Sequence, residues 1–90
     1  MNVTKARELH RFVEELLDFL RSAGEVELVD ALLHANRFVT LSSAEHLNEV
    51  DLALRKVLLR RPSSLSAERE REILAVTSQI EEAFRSGLGS

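Results

Sequence analysis

Leu9, Phe12, Val13, Leu16, Leu17 and Leu20 recur at three- and four-residue spacing. In a strand that spacing would scatter them over both faces, whereas in a helix it gathers all six on one side. Arg7, Arg11, Glu14, Glu15, Asp18 and Arg21 then fall largely on the other. Three later segments repeat the pattern. The expected fold is all-α: a compact four-helix bundle of short antiparallel helices, because short connections favour sequential helices packing as antiparallel neighbours. An arrangement in which the second pair of helices closes at steeper angles over a hairpin of the first pair fits the same pattern.

Local signals set the boundaries at about 5–22, 25–39, 43–60 and 67–86 within one domain covering residues 1–90. Asn2 or Thr4 caps the first helix, and Gly24 supplies the left-handed stop after it. Glu25 and Glu27 open the second helix, where acids complement the positive end of the helix dipole. Val26, Leu28, Val29, Leu32, Leu33, Ala35 and Val39 make it the least polar segment, and so the expected central helix. Ser42 followed by Glu45 forms a capping box for the third. Leu47, Val50, Leu54, Val57 and Leu58 form its core stripe, and Pro62 ends it. Ser66 caps the fourth, which turns Ile73, Val76, Thr77, Ile80, Ala83 and Phe84 inward and stops at Gly87.

Composition removes several classes of function. The chain has no cysteine, which excludes disulfides and thiolate chemistry. The net charge of −3 disfavours nucleic acid as a partner, since phosphate binding calls for a basic excess. Arg55, Lys56, Arg60 and Arg61 form a basic cluster, but at the end of the third helix they complement the dipole. The four phenylalanines all sit at helical positions and offer no base-stacking platform. Residues Met1 to Glu8 lack the apolar run of a signal peptide, and no segment is long enough to span a bilayer. These features lead to the expectation of a cytoplasmic protein without membrane contact.

No catalytic, cofactor-binding or metal-ligating constellation emerges. Asp30 and His34, four apart on one face, would need further converging ligands to hold a metal, so a solvated surface pair is expected. His10 with Glu14, and His46 between Glu45 and Glu49, read as further surface pairs. The serines at 42, 43, 63, 64 and 66 lie in turns and caps without a nucleophile elbow. Asn36 and Asp51 interrupt the apolar stripes of the second and third helices. Each is expected at the edge of the core, bonded to a neighbour, because an unpaired buried polar group costs about 1 to 3 kcal/mol.

Apolar residues off the core stripe carry the functional expectation. Leu52 and Leu59, seven apart, are displaced by roughly a third of a turn from the main stripe of the third helix, and Leu74 is similarly displaced on the fourth. A paired apolar stripe of this kind marks a partner or self-association surface. The sequence therefore suggests a non-enzymatic protein–protein interaction module, an adaptor or homodimer without cofactor. Its anchors are Leu52 and Leu59, with Arg55 and Lys56 as a charged rim.

The stretch Leu16-Leu17-Asp18-Phe19-Leu20-Arg21-Ser22-Ala23-Gly24-Glu25, with Leu28-Val29-Asp30-Ala31-Leu32 and Ser43-Ala44-Glu45-His46-Leu47, resembles small all-helical bacterial proteins, some associated with toxin/immunity systems. The resemblance implies an alternative function, in which the acidic faces of the first two helices neutralise a basic partner.

Overall fold

The computed structural model of the chain describes residues 6–36, 43–63 and 65–86. These residues form four helices, α1 (Ala6–Ser22), α2 (Val26–Asn36), α3 (Ser43–Arg60) and α4 (Ala67–Arg85), with no strand among them. The protein is an all-α four-helix bundle. Val39, the capping box at Ser42, the caps proposed at Asn2 and Thr4, and Gly87 lie outside the described residues.

The helix ends follow from backbone chemistry. α1 closes in a Schellman motif: Glu25 N–H donates to the Leu20 carbonyl at 3.0 Å and Gly24 N–H to that of Arg21 at 3.1 Å. The motif needs a left-handed residue, and Gly24 supplies it at φ 75°. The Glu25 carbonyl then accepts from Val29 N–H and opens α2. Arg61, at φ 44°, turns the chain out of α3 before the buried Pro62, and Leu65 N–H closes that turn on the Pro62 carbonyl at 2.8 Å. α4 starts at Ser66, whose Oγ accepts from Arg69 N–H at 3.1 Å.

Polar contacts between helices report their direction. His10 and Glu14, early in α1, meet Asn36 at the end of α2. Arg60, at the end of α3, reaches Glu25 and Glu27 at the start of α2. Arg55 meets Glu81, and Arg61 meets Glu70. Late-to-early pairing at the α1–α2 and α2–α3 seams, and the opposite order of Arg55, Arg61 and of Glu81, Glu70 along α3 and α4, make the bundle up, down, up, down. The Cα radius of gyration is 12.3 Å, close to the roughly 12 Å of a compact chain of this length.

The core runs through all four helices, with Leu16, Leu17, Leu20, Leu32, Leu54, Val57, Ile73 and Ile80 almost wholly removed from water. α2, the expected central helix, packs closely on both α1 and α3 and buries Leu28, Val29, Leu32 and Ala35, while its Val26 and Leu33 face solvent. The sequential pairs of helices pack closely along their backbones, whereas α1 and α4 approach each other much less.

Candidate interaction surfaces

The outer face of α3 carries the exposed leucines. Leu52 stands two residues from both Val50 and Leu54, hence about 200° round the helix from each. The expected displacement of a third of a turn is therefore too small: Leu52 and Leu59 lie nearly opposite the core. Leu52 is 49% exposed and Leu59 85%. The contacts Arg55–Glu81 and Arg61–Glu70 fix the stagger of α3 against α4 and bring Leu74, 46% exposed, level with Leu59.

The two rim charges differ. Lys56 is exposed and has no ion-pair partner among the described residues. Arg55 is held on both sides: Nε donates to Asp51 Oδ2 at 2.9 Å, and its terminal nitrogen bonds Glu81. The bond to Asp51, and then the one to Glu81, raise Arg55 above the ordinary arginine pKa. Arg55 thus fastens α3 to α4 and is less free to contact a partner.

A second surface is the groove between α1 and α4, about 500 Å³ in volume. Phe12, Ala75 and Val76 are its apolar lining, with Phe12 and Val76 buried and Ala75 exposed. Arg7 and Arg11 line one end, where Glu8 already interacts within the chain. Arg69 lies over the Phe19 ring, 5.3 Å from its centroid, and sets the stagger of these antiparallel helices. That stagger brings Glu15 of α1 level with Glu72 of α4, two acids lining the same groove without ion-pair partners among the described residues.

The core-edge polar residues are both placed between elements. Half-buried Asn36 stands within hydrogen-bond distance of His10 Nδ1 through Oδ1, at 3.3 Å, and donates through Nδ2 to Glu14 Oε1, also at 3.3 Å. Asp51 uses Oδ2 for Arg55 and leaves Oδ1 buried without a hydrogen-bond partner.

His46 is not a surface residue. It is 3% exposed, and its Nε2 is buried without a hydrogen-bond partner. Burial, then repulsion from His10, lowers its pKa below the ordinary histidine value. Its register explains the placement: His46 precedes Val50, Ala53 and Val57 at spacings of four, three and four, so it belongs to the buried stripe of α3.

Asp30 and His34 are both exposed on α2, and no three potential metal ligands converge among the described residues. The acids of α1 and α2 are largely engaged: Glu14 by His10 and Asn36, Asp18 by Arg21, and Glu25 and Glu27 by Arg60. No helix is long and apolar enough to cross a membrane among the described residues. No family model, curated protein or solved structure matches the chain.

Proposed function

We propose that the protein is a non-enzymatic helical module that acts by protein contact through the outer face of α3. Leu52 and Leu59 are its apolar anchors, Leu74 widens the patch onto α4, and Lys56 supplies a free charge at the rim. The observation that carries this reading is the position of the leucines: in a bundle that removes its other large leucines from water with few exceptions, these stand on the solvent side of one helix pair. Burying such side chains against a partner supplies association energy, while the rim charge sets orientation.

Replacing both leucines, Leu52→Ser with Leu59→Ser, tests the reading. Neither side chain supports the core, so helical content and melting temperature should stay close to wild type. Association, followed as solution mass or as recovery of a partner from the source cell, should be lost. Association that survives the double substitution overturns the assignment.

A further inference from the structure

Three of the four seams of the bundle are fastened by polar side chains: α1–α2 by His10, Glu14 and Asn36, α2–α3 by Arg60 with Glu25 and Glu27, and α3–α4 by Arg55–Glu81 and Arg61–Glu70. The fourth is different. Between α1 and α4 the described contact is Arg69 over Phe19, and below it the helices part into the groove. Along α1 the groove runs from the cations Arg7 and Arg11, past Phe12, to Glu15, which is joined by Glu72 from α4. Glu8 stands between the two cations and is engaged within the chain, so the order is a net basic end, an apolar middle and an acidic end.

The solvent face of α3 carries the complementary order. Half-buried Glu49 and the exposed Leu52, Lys56 and Leu59 follow one another along it, acidic, apolar, basic, apolar, and neither Glu49 nor Lys56 has an ion-pair partner among the described residues. The spacing agrees as well as the sign. Glu49 and Lys56 are separated by about 10 Å of helix rise, and Arg7 and Glu15 by about 12 Å. With α3 laid parallel to α1, Glu49 comes level with Arg7, Glu8 and Arg11, Leu52 with the apolar lining at Phe12, Ala75 and Val76, and Lys56 with Glu15 and Glu72. Leu59 then reaches the level of Phe19, which is half-buried at the end of the groove.

We infer that the occupant of the α1–α4 groove is the α3 ridge of a second copy of this chain. The inference rests on the reading of the α3 face as a contact surface and names what that face contacts. With α3 laid parallel to α1, and ridge and groove on different sides of the bundle, one contact does not bring the reciprocal pair together, so it is heterologous: each copy still offers a free ridge at one side and a free groove at the other. Such contacts propagate into rings or open chains and do not stop at a symmetric dimer. Opposite charges at both ends of the ridge make the association weaken as salt rises.

The experiment is a complementation between two defective variants, read by sedimentation velocity and light scattering from micromolar to millimolar chain. Leu52→Ser with Leu59→Ser removes the ridge and leaves the groove. Glu15→Lys with Glu72→Lys, both exposed positions, reverses the acidic end of the groove and leaves the ridge. Circular dichroism establishes that both variants remain helical. The wild type should gain mass with concentration beyond that of a dimer, and lose it in high salt. Each variant alone should remain at the monomer mass, and the equimolar mixture should reach twice the chain mass and no more, because one good ridge then meets one good groove.

Two results overturn the inference and separate it from the reading on which it rests. A wild type that stays monomeric throughout the range removes self-docking, while the α3 face is still tested by recovery of another protein with and without Leu52 and Leu59. Self-association that the ridge variant abolishes and the groove variant leaves intact assigns the α3 face to a symmetric contact and leaves the groove without this occupant.

Discussion

α4 borders two seams built in opposite ways. Toward α3 it closes a continuous core and bridges the rim with Arg55–Glu81 and Arg61–Glu70. Toward α1 it shares Ile73, Val76 and Ile80 with the same core but leaves a groove of about 500 Å³ in which Arg7, Arg11, Glu15 and Glu72 find no ion-pair partner among the described residues. Surface ion pairs contribute little stability, typically about 0.2 to 1 kcal/mol each. The difference is therefore chiefly one of shape and unspent charge. The closed seam uses its charges to hold two helices in register, while the open seam leaves its charges available to something outside the bundle.

The sharpest way to break this comparison is to damage the closed side. Leu54 lies fully inside α3, and Leu54→Ala should lower the unfolding free energy by about 2 to 5 kcal/mol, through lost burial and the cavity left behind. Urea denaturation measures it. In a bundle of this size that is a large share of the roughly 5 to 10 kcal/mol available. A loss below about 1 kcal/mol would mean that the α3–α4 side is no better packed than the α1–α4 side.

His46 is the polar exception within the closed part, and it makes stability depend on pH. Its pKa in the folded chain lies below the ordinary value, so the unfolded chain takes up the proton first. The stability this neutral imidazole maintains is complete above about pH 6.5. It falls as the pH is lowered through that value and levels off below the depressed folded pKa. Urea midpoints at pH 8 and pH 5 should differ in that direction. His46→Leu keeps the position apolar, removes the unpaired buried nitrogen, and should flatten the profile while raising stability by up to about 1 to 3 kcal/mol. An unchanged profile in the variant would assign the acid sensitivity to another group.

Much of the closed architecture is legible in the sequence because it is local. The α1 stripe, the Gly24 stop and the Ser66 cap each arise within a few residues, and periodicity or turn chemistry reports them directly. His46 was legible too, since its spacing to Val50, Ala53 and Val57 is that of a buried stripe; sorting residues by polarity before position conceals it. Leu52 and Leu59 stand out in the sequence, but counting residues from Val50 and Leu54 is needed to place them opposite the core. The groove is another matter. Its width depends on how α1 and α4 stagger and splay, which Arg69 and Phe19 settle across half the chain, and no local pattern encodes that distance. The signal available was indirect: Phe12 and Phe19 broaden the apolar arc of α1 on one flank, beyond what a single partner helix covers.

The smallest expected effect separates the two seams most cleanly. Ala75 lines the groove and Leu74, its neighbour, lies on the α3 side, both with access to solvent. Leu74→Ala should change stability by no more than about 0.5 kcal/mol, because the closed seam beneath it is already complete. Ala75→Leu adds apolar atoms where α1 and α4 stand apart, and partial burial of those atoms should raise stability by about 0.5 to 1 kcal/mol. Thermal unfolding with urea titration resolves the sign. A gain at Ala75 with no loss at Leu74 means that the open seam has room that the fold alone does not need. A loss at Ala75 would mean that the groove is already tight in solution, and the contrast between the two sides of α4 would fail. The same Ala75→Leu chain, by filling the apolar lining on which Leu52 of a second copy would rest, should associate less while folding more stably, and a merely structural gap would leave association untouched.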